Sequence, residues 1–315
     1  MKAAGGGIQA ISRWLAAAAI SAFLLACGGG GGGGADPPPA SRVVAGGQAN
    51  VPGANVMAIR VDAGTDGSSF NAPFVTLTVC QPGTSVCEEI DHVLVDTGSS
   101  GLRISASALP ASLRQALPAM TVESGALAGQ CAHFASGFSW GSVRQADVRM
   151  AGETAQALSI QVVNDPEAPF VSIPAECSST GANIGPGRGA NGILGVGLFT
   201  QDCGLACQIS TAPNVYFACA AGTGCASDRM PVRSQVSNPV ASLPDNNNGV
   251  VLVLPAVPQG GATSVTGSLV LGIGTQSNNQ LGGAKLFATN AEGFITTVYK
   301  GTAYPNSFLD SGSNG

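Results

Sequence analysis

The chain has 315 residues, enough for one large domain or two lobes with separate cores. Charged residues make up only 10% and aromatics 5%, against 45 Gly and 19 Pro, a balance that fits a loop-rich all-β protein and argues against helical bundles. A net charge of −5 with 13 Lys and Arg leaves no basic footprint for nucleic acid, and no block of like charge marks an interaction tail.

The first predicted element is an export signal over residues 1–26. Lys2 and Arg13 supply a positive start, and Trp14 to Leu25 is an apolar stretch of twelve residues. That is well short of the roughly 20 needed to span a bilayer. The segment ends Leu24-Leu25-Ala26-Cys27, which resembles a bacterial lipobox; an ordinary cleaved signal is the alternative. The resemblance implies cleavage before Cys27, lipidation of Cys27, and a membrane as partner through that anchor. It places the protein at the bacterial cell envelope, facing the periplasm or exposed on the surface. Residues 27–65 read as a tether and entry segment. Gly28 to Gly34 is a flexible run and Pro37-Pro38-Pro39 a stiff spacer.

Beyond Cys27 the chain holds eight cysteines: Cys80, Cys87, Cys131, Cys177, Cys203, Cys207, Cys219 and Cys225. An even number in an exported chain predicts four disulfides. Local spacing favours Cys80–Cys87, Cys203–Cys207 and Cys219–Cys225, leaving Cys131 with Cys177. A metal site is the alternative, but neither His92 nor His133 stands at finger-like spacing from a cysteine pair.

Phe74–Cys80 alternates and is β-branched, Gln81–Ser85 is a turn, and Val86–Val95 is the return strand. The uniformly apolar Val93-Leu94-Val95 predicts burial on both faces, delivering Asp96 to a glycine-containing loop. A helix is predicted over Ser107–Leu117, with Pro110 limiting its first turn. Further strands are predicted at Ser142–Ala151, Gln156–Val163, Tyr216–Ala218, Gly249–Leu254 and Ser268–Ile273. Turn clusters such as Gly185–Gly189 and Asn246–Gly249 separate them.

Two tetrads carry the chemistry: Asp96-Thr97-Gly98-Ser99 and Asp310-Ser311-Gly312-Ser313, 214 residues apart, each after apolar residues. Two carboxyls held side by side cannot both ionise, so they share one proton over a broad pH range. Gly98 and Gly312 let backbone amides come close to each carboxylate. Thr97 and Ser311 offer hydroxyls to tie the loops together, and Ser99 and Ser313 hydroxyls for the outer carboxylate oxygens.

These motifs resemble those of pepsin-type aspartic proteases. Val95-Asp96-Thr97-Gly98-Ser99-Ser100-Gly101-Leu102 matches the first motif of that family and Phe308-Leu309-Asp310-Ser311-Gly312-Ser313 the second. Asn191–Gly197 resembles the apolar glycine segment beneath the first loop, and Val250–Gly274 the strands opening the second lobe. The layout is also similar to that of uncharacterised bacterial lipoproteins. The resemblance implies a bilobal all-β fold, with an N-terminal lobe over 66–212 and the start of a C-terminal lobe over 213–315. It implies that this second lobe continues past Gly315. The implied activity is an aspartic endopeptidase acting on peptides or proteins, with Asp96 and Asp310 catalytic and no cofactor or metal. Arg103 departs from the family pattern, standing where a Trp is usual. The nearest match to the family's flap is Trp140-Gly141. These departures support an alternative, a catalytically silent pepsin-like scaffold binding a protein or glycan at the envelope; a purely structural envelope lipoprotein is a third reading.

Blander readings compete at each motif. The tetrads can be plain turns, or phosphate loops of the sugar-kinase kind, which would require an α/β cytoplasmic protein. His92 is expected to face solvent, and His133 to be structural. Ser99 or Ser100 as a nucleophile lacks the Gly-x-Ser-x-Gly elbow, and Gly272-Ile273-Gly274 lacks the rest of a dinucleotide fingerprint.

Overall fold

The computed structural model describes residues 49–187 and 189–313. The expected signal, Cys27 and the Gly/Pro tether lie outside the described residues. The chain is all-β. Its strands are β1 (Val56–Asp62), β2 (Ala72–Cys80), β3 (Cys87–Asp96), β4 (Ser100–Ser105), β5 (Leu127–Phe134), β6 (Gly137–Met150) and β7 (Glu153–Val163). There follow β8 (Gly192–Val196), β9 (Tyr216–Ala220), β10 (Gly224–Ser227), β11 (Val250–Val253), β12 (Val265–Leu271), β13 (Ile295–Tyr299) and β14 (Thr302–Ser307). Helices are short: α1 (Ala111–Ala116), α2 (Ala175–Ser178) and α3 (Leu205–Ile209).

The first twelve strands form one sheet in the order β10-β9-β5-β6-β7-β4-β8-β3-β2-β1-β12-β11. β6 also pairs with β2, so β2, β3, β8, β4, β7 and β6 close into a ring. Closure removes free edges from the part of the sheet that carries Asp96. The ring encloses the main core, including Leu77, Val93, Val95, Leu102, Ile104, Ile160, Val162 and Leu194, each at most 2% exposed. Truncating Leu102, which is completely buried, to Ala is expected to cost about 2–5 kcal/mol of unfolding free energy, measured by urea denaturation.

The predicted strands are present with small changes of boundary, and the predicted helix resolves into two pieces. Pro110 cannot donate within a helix, so a 3-10 turn at Ala106–Ala108 stops before it and α1 starts after it. The sheet runs on across the lobe boundary expected at 212/213. β9 pairs with β5, and β12 pairs with β1, so segments on either side of residue 213 share one sheet. The entry segment likewise contains β1, an integral strand.

All four predicted disulfides form: Cys80–Cys87, Cys131–Cys177, Cys203–Cys207 and Cys219–Cys225. Two of them bridge residues directly opposite in antiparallel pairs, Cys80 with Cys87 and Cys219 with Cys225. Register and crosslink therefore specify the same hairpins.

Candidate functional site

β3 changes character along its length. Its first half is partly exposed, whereas Val93, Leu94, Val95 and Asp96 are all buried. The cause is β8, which runs parallel to this second half and sets Gly195 against Asp96. β4 then returns antiparallel on the other side of β8, with Gly101 opposite Gly195. A Cβ on Gly195 would lie 2.8 Å from the Gly101 carbonyl oxygen, so only glycine allows the chain to cross beneath this loop.

The second tetrad arrives differently. β13 and β14 pair only with each other, and Phe308 and Leu309 are 58% and 78% exposed. Asp310 thus follows an exposed apolar segment, unlike Asp96, which follows a buried one.

The two loops meet through reciprocal hydrogen bonds. Thr97 N–H donates to Ser311 Oγ at 3.2 Å, and Ser311 N–H donates to Thr97 Oγ1 at 3.0 Å. Thr97 Oγ1 donates to the Leu309 carbonyl at 2.9 Å, and Ser311 Oγ to the Val95 carbonyl at 2.6 Å. Within each loop the glycine amide caps its own aspartate, Gly98 to Asp96 and Gly312 to Asp310, both at 2.8 Å. The same reciprocity holds sterically. A Cβ on Gly98 would lie 2.7 Å from Asp310 Cγ, and one on Gly312 would lie 2.7 Å from Asp96 Cγ. Each glycine is therefore the floor on which the opposite carboxyl rests.

Ser99 donates its hydroxyl to Asp96 Oδ2, as predicted. Ser313 meets Asp310 through its backbone N–H instead. Asp310 holds its proton above the ordinary carboxylate range, first because it is partly buried and then because the Asp96 charge stands beside it. Asp96 itself is only 6% exposed. The two carboxyls thus stand side by side in a half-covered position.

Other candidates are placed elsewhere. Trp140 is not a flap: it is 1% exposed, donates its indole N–H to the Phe170 carbonyl at 2.8 Å, and packs edge-on against Phe217. Gly141 beside it is pressed against the Val162 carbonyl inside the β6–β7 ladder. A large apolar ring with one donor is best satisfied in a core with one acceptor, and this one is. Trp140→Ala is accordingly expected to lower unfolding free energy by about 3–5 kcal/mol in urea titrations. His92 engages Asp91 at 2.8 Å and Asp62 at 3.5 Å and leans on Phe74, taking no part in the Asp96 loop. Among the described residues His133 reaches only the Asn214 carbonyl, at 3.2 Å. Among the described residues no group of three or more His, Cys, Asp or Glu side chains is placed to hold a metal ion.

The departure at Arg103 leads to residues that motif reading misses. Its guanidinium is buried and faces Asp202 at 3.4 Å. Tyr216 donates to Asp202 at 2.6 Å, and Gln130 donates to the same carboxylate. Burial pushes Asp202 up from 3.8 to about 6, against the opposing pull of Arg103 and Tyr216. The signal available beforehand was an arginine between Leu102 and Ile104, since a buried cation requires a carboxylate somewhere in the fold.

Stability should register this group. A carboxyl whose folded pKa exceeds its unfolded value favours the folded state below the unfolded pKa, and that contribution is lost as pH rises through the folded one. Unfolding free energy is therefore expected to fall between pH 3.8 and about 6, by on the order of 3 kcal/mol. Urea midpoints across that window should show a shallower slope in Asp202→Asn.

An all-β chain whose two Asp-Thr/Ser-Gly-Ser loops clasp each other is the class that fold and geometry define. The chain belongs to the family described as "Protein of unknown function (DUF3443)", which matches residues 52–315. No curated protein matches it. Among solved structures it is similar to an aspartic proteinase from Irpex lacteus, with 18% identity and a TM-score of 0.42 over 75% of this chain and 52% of that one. The chain thus spans about half the length of that structure.

Proposed function

We propose that the protein is an aspartic endopeptidase in which Asp96 and Asp310 activate a water. The observation that carries this reading is the reciprocity of the two tetrads. The amides and hydroxyls of Thr97 and Ser311, and the Gly98 and Gly312 positions, do for the opposite loop what they receive from it. Plain turns have no need to clasp one another across 214 residues. Asp310, whose proton affinity is raised by partial burial and the neighbouring carboxyl, starts as the acid. Asp96, which accepts from Gly98 N–H and the Ser99 hydroxyl, starts as the base. Asp96 takes a proton from water as the water oxygen bonds to the scissile carbonyl carbon, and Asp310 protonates the carbonyl oxygen. Collapse of the resulting diol breaks the C–N bond as Asp96 gives its proton to the leaving nitrogen and Asp310 takes one from a diol hydroxyl, which leaves a carboxylic acid and an amine and restores the pair. Aspartic proteases are the standard instance of such a shared proton.

Activity should decline as pH rises through the raised Asp310 pKa, because the acid is then lost. The lipobox-like ending at Cys27 supports a lipid anchor at the bacterial envelope, facing the periplasm or the surface. The four disulfides suit such an oxidising location.

The test is cleavage of a mixed peptide library by the full-length protein without its anchor, from roughly pH 3 to 7, read by mass spectrometry. Cuts lost in Asp96→Asn and in Asp310→Asn support the reading. Absence of cuts by a folded wild type overturns it. The burial of Trp140 in the core favours one second reading, a silent scaffold that binds a protein or glycan. A pepstatin-type transition-state mimic separates the two. Binding that disappears in Asp96→Asn belongs to the enzyme, and failure to bind a folded wild type to the scaffold.

A further inference from the structure

We propose that Arg103, held by Asp202, is a positioning residue for the Asp96 loop, and hence for the hydrolysis proposed above, on which this inference rests. Arg103 is 3% exposed on β4 between two completely buried residues, Leu102 and Ile104. A guanidinium so placed needs its charge and donors met; Nη1 and Nη2 find partners, while Nε has none among the described residues. Its Nη1 donates to the Ser100 carbonyl at 3.1 Å and to the Gly101 carbonyl at 3.2 Å. Its Nη2 meets Asp202 Oδ2 at 3.4 Å, and its Cζ stands 5.5 Å from the Phe134 ring centroid. The planar fork grips two consecutive carbonyls directly beyond Ser99, the residue whose hydroxyl donates to Asp96.

The opposite side of this step is fixed by the same network. The Tyr216 hydroxyl, while donating to Asp202, accepts from Val236 N–H at 2.8 Å, and Asp202 N–H donates to the Val236 carbonyl at 3.1 Å. Val236 closes on Gly101, where a Cβ would lie 2.6 Å from Val236 Cγ1. A further link holds Ser99: Gly197 N–H donates to its carbonyl at 2.8 Å, and Asn238 donates to the Gly197 carbonyl at 3.0 Å. The loop bearing Asp96 is thus clamped from both sides, and Arg103 is the one charged member touching its backbone. A lysine carries the charge but lacks the fork that serves two carbonyls and a carboxylate together.

The experiment compares the full-length protein without its anchor as wild type, Arg103→Met, Arg103→Lys and the double variant Arg103→Met/Asp202→Asn. Near-UV circular dichroism first identifies the folded ones. Carboxyl 13C titration of Asp96 and Asp310, assigned through the Asn variants, then reports the pair whether or not the protein cleaves peptides; kcat and KM follow on a cleaved peptide. In folded Arg103→Met the expected result is an apparent pKa of the pair displaced by about 0.5 unit or more. A fall of roughly tenfold or more in kcat, with KM within about twofold, should accompany it. Arg103→Lys should fall between, and the double variant should be no worse than Arg103→Met, since the two side chains act as one element. An unchanged titration in folded Arg103→Met overturns the proposal. Should the wild type cleave nothing, the endopeptidase reading fails while the titration still decides this inference. Should Arg103→Met not fold, the same comparison is made with Arg103→Lys, where a titration identical to wild type overturns the proposal.

Discussion

Gly312→Ala is expected to lower peptide cleavage by on the order of 100-fold or more, although it removes no titratable group. The new Cβ would sit 2.7 Å from Asp96 Cγ and 2.8 Å from its Oδ1, where ordinary carbon contacts begin near 3.5 Å. One of the two must retreat by close to 1 Å. A displacement of that size at reacting groups costs on the order of 100-fold in rate, and separating the carboxyls also ends their proton sharing. Gly98→Ala places a Cβ 2.7 Å from Asp310 Cγ and should act in the same way. The measurement is kcat/KM on a library peptide together with the carboxyl titration. Loss of rate with Asp310 returning toward an ordinary carboxylate value is the signature of separation. Full activity in either alanine variant would mean that the two carboxyls are not the reacting pair.

Removing the Cys131–Cys177 bridge is expected to be the most destabilising of the disulfide deletions. It closes 46 residues, whereas the others close 7, 4 and 6. In the chain-entropy description a loop of that size is worth about 4 kcal/mol, against roughly 2 for the short ones. Both sulfurs are completely buried beside Trp140, Phe138, Phe170 and Phe217, so their loss also opens the packing of that cluster. Urea unfolding of Cys131→Ala/Cys177→Ala against Cys80→Ala/Cys87→Ala gives the difference directly. Equal losses would show that neither loop length nor the packing of that cluster sets the cost.

Much of the site was legible from its residues. Asp96 lies where the apolar Val93–Val95 run points, and the cysteine spacings give the four bridges. What stayed hidden has physical causes. β4 and β8 are buried on both faces, so neither shows the alternation that marks a half-exposed strand. β5 and β10 are held by cross-strand pairing and disulfides more than by hydrophobic pattern. Trp140 reads equally well as flap or core until Phe170 and Phe217 are seen around it. The Arg103–Asp202 contact spans 99 residues and leaves no local trace beyond an arginine among aliphatics. The placement of β9 in the same sheet as β5 follows from pairing partners 89 or more residues apart, such as Gly129 with Phe217, which no window of sequence contains.

The clasp between Thr97 and Ser311 also has a consequence in time. Closing a loop of 214 residues carries an entropy cost of roughly 5 kcal/mol by the logarithmic law, repaid only by contacts that exist once the intervening strands are in place. Local hairpins such as β2–β3 form early; the aspartate pair belongs to the slow, long-range stage of folding. A chain in which residue 311 has not yet docked carries one half of the pair alone. Assembly order alone keeps the two carboxyls apart until the intervening strands have paired.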